Sequence, residues 1–466
     1  MEKSLYLINE LVVDLVHYNV LTRKEGEKLI LGLFILKRLD CLLLEERSKL
    51  ECLKNYDQKK RLIFLRKHSF YNVSDMSFNQ VLLSNTDLIN SIKAHLDGYS
   101  DDINIAVTEF GLATIFTKMQ YEEKYLIRLK NLILELDFGE SNIRKYDFDD
   151  LLVSIHNQFS NHYEKDIPYD ISELITQIIF NKHVYELDEK TPIIISDYCA
   201  DNGTLLIKAY RYLSNLDNEL DIRLQGQEIN IEKYCFAKIR MILLQIKNFT
   251  IVNSDCILDK ENSFYKSTYV VMNPLHESVS RTEYYLKYIN DEYKGKEENN
   301  RFKGGLTRGQ YSFYLYLQHV IYCMDKEESS TSRAVVLSTA TPFKVMKGNH
   351  SIELSKIRDW LLGEDVIETI ISIPPNVFYN TGIQYYLWIL DNNKSNDRKG
   401  FIKFLNISNF FNSDMRAIDF KNKYIGSQEI DNILDLYLRN EGSLDSKIIN
   451  KSNIDTESDW LVYLNE

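Results

Sequence analysis

The chain has no surplus of basic residues. Its 56 Lys and Arg are outnumbered by 68 Asp and Glu, which leaves a formal net charge of −12 over 466 residues. That argues against a protein gripping nucleic acid unaided through a broad basic face, though not against DNA as a substrate when a partner supplies the basic surface. The six cysteines (Cys41, Cys52, Cys199, Cys235, Cys256 and Cys323) include no CxxC pair, and no histidine cluster has metal-ligand spacing. Neither a disulfide framework nor a metal site is expected. No apolar run approaches membrane-spanning length. The opening stretch MEKSLYLINELVVDLVHYNVL mixes acidic residues among its apolar ones rather than placing a basic segment before an apolar one. A reducing cytoplasm with no membrane partner is therefore expected. No internal repeat is evident.

What is present is ordinary for a soluble chain: 44% hydrophobic and 27% charged residues, enough for a large core in two or three domains. The 31 tyrosines read as a compositional bias. Residues 1–147 read as a helical domain. Thr22 and Glu25 have the spacing of a capping box, and Leu29, Leu33, Leu36 and Leu43 recur near helical spacing, broadened by Ile30 and Phe34. A second helix is predicted from Thr86 or Asp87 to Leu96, closed by Gly98, and a third through EEKYLIRLKNLILELDF. From 148 to 180 two helical segments flank a polar stretch ending at Pro168, a residue suited to the start of a helix.

Between Thr191 and Leu275 the pattern changes. Three short apolar runs end at Ser196-Asp197, Gln227-Glu228 and Asn273-Pro274, with helical spacing between them. Strand, loop and helix in repetition predict a parallel sheet whose strand ends face one crevice, the usual seat of a nucleotide-like ligand. Residues 279–310 turn polar and read as a long surface insertion. Strands are then predicted at 334–339, 366–373 and 385–390. Residues 411–466 read as a helical arm or docking segment, which leaves 148–410 as the catalytic-type domain.

Four clusters could carry chemistry. In SDYCADNGTLL, backbone N–H groups at a strand-to-helix turn suit a polar ligand, with Gly203 allowing close approach. Glu228 stands about 25 residues beyond that loop, where an acidic group can accept from ribose hydroxyls; a solvated surface Glu is the plain alternative. Asp255 could accept from an adenine amino group or bond its own turn. Asn273-Pro274 ends a buried apolar strand. An Asn oxygen and an adjacent carbonyl can both accept from an exocyclic amine, which localises its lone pair for attack on a methyl group. A strand-terminating Asn-Pro turn is the plain alternative.

Together the clusters resemble the methylation (M) subunits of type I restriction–modification systems. The family's cofactor loop DPACGTGGFL is matched by DYCADNGTLL, GQEIN is intact at 226–230, SDCIL matches its GD-x-L element and NPLH its NPPF. YLYLQHVIYCM resembles its FLQH helix, and Pro374 to Ile383 (PPNVFYNTGI) its most specific downstream motif. FILKRLDCLLLEE looks like its helical N-terminal domain, and Pro168 like the proline of its YTP element. The resemblance implies a Rossmann-like class I methyltransferase sheet behind an all-α domain, binding S-adenosyl-L-methionine. It implies methyl transfer to the N6 of a flipped adenine in DNA. Asp197, Gly203, Glu228 and Asp255 would hold the cofactor, and Asn273, Pro274 and His276 the target base. It also implies a specificity subunit that reads the sequence, a second methylation subunit, and a restriction subunit in systems that cleave.

The departures fall on the chemistry. Asp201 stands at the first loop glycine, where a side chain takes space and faces the cofactor's carboxylate. Tyr198 replaces a loop proline. Leu275 replaces the second proline of the catalytic motif, and His276 an aromatic that would stack on the base. Two readings follow: an adenine-N6 DNA methyltransferase, or a catalytically impaired relative that keeps the fold to bind a partner or DNA.

Overall fold

The computed structural model describes the chain except residues 1, 52–69, 75, 85–87, 162–163, 182–190, 218, 260–265, 275–282, 295–299, 308–310, 326–330, 345–349, 380, 419–420, 440–441, 444 and 466. It forms two compact units: Met1–Asp166 with Ile231–Lys247, and Ile167–Asn230 with Asn248–Glu466. The division differs from one at 147/148 in that a helix from the middle of the chain, Ile231–Leu243, belongs with the N-terminal helices.

In the first unit the Thr22 N–H donates to Glu25 Oε2 (3.0 Å) and the Glu25 N–H to Thr22 Oγ1 (3.2 Å), a reciprocal cap on the helix Arg23–Glu51. Leu29, Leu33, Leu36 and Leu43 of that helix are buried, as their spacing predicts. The helix Leu88–Asp97 ends before Gly98, and its expected first residues lie outside those described. Glu123–Glu135 and Lys145–Phe159 are helical, as read. Arg240 explains why the mid-chain helix is held here: it is buried, and its guanidinium donates to both Asp149 oxygens (2.7 and 2.9 Å). A buried charge persists only when it is paired in this way.

In the second unit Pro168 stands immediately before the helix Tyr169–Phe180. A nine-stranded sheet follows: β1 (Ile193–Asp197), β2 (Ile222–Gln227), β3 (Phe249–Val252), β4 (Tyr269–Met272), β5 (Arg333–Ser338), β6 (Ile367–Ser372), β7 (Tyr386–Asp391), β8 (Phe401–Asn406) and, after an outlying pair, β11 (Ser446–Asn450). The order is β11-β8-β6-β7-β5-β4-β1-β2-β3. β7 and β11 run against the other seven strands. The helix Thr204–Leu216 packs on β1 and β2. No described helix is long and apolar enough to cross a membrane.

Two expectations change. The stretch 279–310 is not wholly a surface insertion: it holds the helix Glu283–Lys294, and Tyr285, Ile289, Arg301 and Phe302 are among its buried residues. Its polarity misleads because Arg301 goes inside with its counter-charge, Glu292, at 2.7 Å. Nor do residues 411–466 form a helical arm. They supply the hairpin β9 (Asn412–Ile418) and β10 (Lys421–Tyr424), the helix Ser427–Leu438 and the sheet-edge strand β11. Buried polar groups dock them. Tyr437 donates to Glu368 Oε2 (2.5 Å), and the Lys403 ammonium donates to the carbonyls of Tyr437 and Arg439 (3.2 and 2.7 Å).

Candidate active site

β1 pairs with β2 on one side and β4 on the other, so the strand order reverses at β1. In an open sheet of this kind the crevice opens beyond the carboxyl ends of the strands at that point. The polar clusters stand at those ends. Asp197 closes β1 and is 1% exposed, with Oδ1 accepting the Cys199 N–H (3.0 Å). The loop then turns back over β2, where the Ala200 N–H donates to the Gln227 carbonyl (2.8 Å). This close approach accounts for Gly226, since a Cβ there would lie 3.3 Å from that of Ala200. Gly203 opens the helix Thr204–Leu216 with φ +78° and no side-chain cap, a backbone that favours glycine.

Asp201 also adopts left-handed backbone, at φ 49°. Asp tolerates that conformation better than most side chains. The turn is held by Glu228, whose Oε2 accepts the Asp201 N–H (2.8 Å) and whose Oε1 accepts the Asn230 N–H (2.8 Å). Glu228 is only 3% exposed, so it is no solvated surface residue. Its neighbour Ile229 is 51% exposed, an apolar face at the crevice lip that periodicity did not flag.

Asp255 follows β3, and its Oδ1 accepts from the Ile257 and Leu258 N–H groups (2.8 and 3.3 Å), the turn-bonding geometry that was the plain alternative. At the end of β4 the Oδ1 of Asn273 is buried and has no hydrogen-bond partner among the described residues. Pro274 is buried. Leu275 and His276 lie outside the described residues.

Several residues support this edge in ways the sequence reading did not foresee. Tyr198, at the loop-proline position, points into the core. Its hydroxyl pairs with Ser267 Oγ (3.0 Å), and its ring meets His319 edge-on at 4.7 Å. Arg301 donates to the carbonyls of Cys256 (2.9 Å) and Ile257 (2.6 Å), directly after Asp255, and contacts His319 Nδ1 (3.2 Å). Gln318 accepts the Gly304 N–H (2.9 Å) and donates to the Gly305 carbonyl (2.9 Å), pinning the loop that carries Arg301. The LQH triplet of the helix Phe313–Cys323 was the signal available for two of them. Among the described residues no group of three or more His, Cys, Asp or Glu could hold a metal ion.

Burial pushes the carboxyl of Asp197 well above the usual carboxylate range, the Cys199 N–H offsets part of that rise, and Glu228 and Asp201 add to it. Burial also raises Asp255, against the pull of its two backbone N–H groups and Arg301. Burial pushes the His319 imidazole well below its usual value, and Arg301 and Lys266 add to that. The Asp197 shift fixes a sign. The unfolded chain releases this proton first, so between the two pKa values the native state binds more protons and stability falls as pH rises. Asp197→Asn removes that penalty and keeps an acceptor for Cys199. The ligand-free variant is expected to melt above the parent at pH 7, with the gain shrinking as pH falls below the usual Asp range. Melting curves at pH 7 and pH 4 check this; a gain independent of pH would refute it.

A family model described as N-6 DNA Methylase matches residues 155–459. The chain belongs to the N-6 DNA methylase family. A second model, the HsdM N-terminal domain, matches residues 17–135 of this methylase-family chain. It is 24% identical over 352 residues to the type I restriction enzyme MpnII methylase subunit of Mycoplasma pneumoniae, covering 74% of this chain and 60% of that protein. It is 26% identical over 370 residues to the type I restriction enzyme MjaVII methylase subunit of Methanocaldococcus jannaschii, covering 77% and 58%. The chain thus spans about six-tenths of the length of these curated relatives. Its fold is that of the type I restriction–modification methyltransferase subunit from Streptococcus thermophilus (TM-score 0.76, 18% identity, 100% of both chains). A modification subunit of a putative type I restriction enzyme from Vibrio vulnificus is similar in fold (TM-score 0.59, 13% identity, 100% of this chain and 99% of that one). The expected methyltransferase sheet behind an all-α region is therefore what this N-6 DNA methylase family chain folds into.

Proposed function

We propose that this protein methylates the N6 of adenine in DNA with S-adenosyl-L-methionine, as the modification subunit of a type I-like restriction–modification system. The observation that carries the reading is the Oδ1 of Asn273: a buried acceptor with no partner among the described residues, at the end of the strand beside the topological switch. Burying a carbonyl oxygen unpaired costs free energy, so a ligand donor that completes it is favoured. The amine of a flipped adenine supplies two such hydrogens. Asn273 Oδ1 would accept one and the Pro274 carbonyl the other, drawing the amine's lone pair out of ring conjugation and stabilising the charge that develops on nitrogen. His276 would face the base.

The residues at the crevice suit the cofactor. Glu228, directly after β2, stands where a carboxylate can accept from ribose hydroxyls. Asp255 would meet the adenine amino group, with Ile229 offering an apolar face to the ring. Asp197 and Gly203 would shape the methionine end. When bound, the cofactor would supply a methyl group on cationic sulfur. The net charge of −12 suits a subunit that leaves DNA grip and sequence reading to a specificity subunit flanked by a second methylation subunit, with a restriction subunit joining in cleaving complexes. The similarity to type I restriction enzyme methylase subunits supports the same reading.

Titration calorimetry with S-adenosyl-L-methionine tests the reading. Micromolar binding to the parent and none to Glu228→Ala are expected. No binding to the parent at millimolar cofactor would leave only the non-catalytic role.

A further inference from the structure

We infer that Asp170 and Lys421 are positioning residues for the target base: they clip the β6–β7 loop in place at the edge of the sheet where Asn273 stands. The inference rests on the adenine-methyltransferase reading. Three segments far apart in the chain meet at this clip. Lys421, on β10, donates to both oxygens of Asp170 (2.9 and 3.1 Å), to the Val377 carbonyl (2.9 Å) and to the Lys423 carbonyl (3.1 Å). Asp170 also accepts the Ile425 N–H (2.9 Å). Next to them the Asn376 carbonyl accepts the N–H groups of Asn422 and Lys423 (3.1 and 3.3 Å). The side chains of Lys421 and Asp170 are 14% and 12% exposed.

The clipped loop joins β6 to β7 and carries PPNVFYNTGI. β6 runs in the same sense as β4, because each of the two steps from β5 through β7 to β6 is antiparallel. The loop after β6 therefore leaves the same edge of the sheet as Asn273-Pro274. Phe378 is its buried root, packed edge-on against Tyr385 at 4.3 Å. Tyr379 and Ile383 keep part of their surface exposed, and the Lys421 ammonium sits 5.8 Å from the centre of the Tyr379 ring. An aromatic ring on a loop as long as the one between Ser372 and Tyr386 holds one attitude only if the backbone beneath it is fixed. The loop makes its own turn at Asn376, at φ 64°. Beyond that turn its backbone is fixed from outside, by a cation that binds one of its carbonyls and by the strand that carries the cation. Misplacing a substrate-facing loop by about 1 Å can cost on the order of 100-fold in rate.

The test uses the full chain with a cognate specificity subunit and a DNA duplex carrying 2-aminopurine at the target position. Lys421→Met is expected to lower the single-turnover methyl-transfer rate 10- to 100-fold on an adenine duplex and to reduce the 2-aminopurine signal of the flipped base. Its cofactor Kd is expected to match the parent's. Lys421→Arg should restore part of both losses, and Asp170→Asn, which keeps an acceptor for Ile425, should behave like Lys421→Met. If the parent methylates and Lys421→Met flips and methylates equally well, the inference fails alone. It also fails if cofactor Kd weakens in parallel with rate, since that marks a general structural loss. If the parent binds no cofactor, the underlying reading fails and the inference falls with it.

Discussion

Asn273→Ala is expected to reduce methyl transfer about 10²- to 10³-fold while leaving cofactor affinity near that of the parent. The size follows from the role proposed for the oxygen. Adenine's exocyclic nitrogen shares its lone pair with the ring and becomes a nucleophile only as that sharing is given up. An acceptor aimed at its hydrogens stabilises the nitrogen more as positive charge grows on it, so the interaction strengthens toward the transition state and appears in the rate rather than in binding. The buried Oδ1 at the end of β4 needs no desolvation when the base arrives. Alanine removes the acceptor and little bulk. Single-turnover transfer of labelled methyl to DNA, with a cognate specificity subunit, measures the rate, and calorimetry on the same sample measures affinity. A variant that methylates at the parental rate would remove Asn273 from the chemistry and with it the central observation behind the proposed function.

Arg301→Met is expected to cost about 3–5 kcal/mol of stability, the range for breaking a buried ion pair from one side. The guanidinium is 2% exposed and donates to Glu292, Cys256, Ile257 and the ring of His319. Without it Glu292 keeps a buried negative charge, and two carbonyls lose their donors. At about 2–4 °C per kcal/mol for a domain of this size, the melting temperature should fall by roughly 10 °C. The two carbonyls follow Asp255 directly, so cofactor affinity should weaken too. Adding Glu292→Leu should recover part of the stability by removing the stranded charge. A melting temperature within a degree or so of the parent would show that the Asp255 turn stands without Arg301.

Much of this was legible in the chain, and the boundary has physical causes. The ends of β1, β2 and β4 were readable because each apolar run stops at a polar pair, and the Thr22–Glu25 cap because its geometry is local. The direction of β7 was not readable, since a strand buried on both faces has the same composition either way round. Arg301, Lys403 and Arg240 were missed because a charged residue reads as surface until its partner is known, and those partners lie elsewhere in the chain. The end of the chain looked like an arm because its buried residues, among them Ile433, Tyr437 and Trp460, are scattered through a largely polar segment. Asp201 looked like a damaged glycine. Its backbone hydrogen bond to Glu228 could not be foreseen, because it depends on two loops meeting across β1 and β2.

The mid-chain helix Ile231–Leu243 has a consequence for anyone dissecting the protein. The polypeptide passes between the two units three times, after Asp166, Asn230 and Lys247. No single cut therefore yields two self-sufficient fragments. A fragment starting at 148 or 167 carries Arg240 and the apolar face around it without the helices that cover them. A fragment ending at Asp166 leaves Asp149 without its counter-charge, Arg240. The two units are topologically interlaced, so a gene encoding only one of them encodes a stranded helix or a missing one. Fragment complementation, with both pieces made together, is the form in which either half should be recovered soluble.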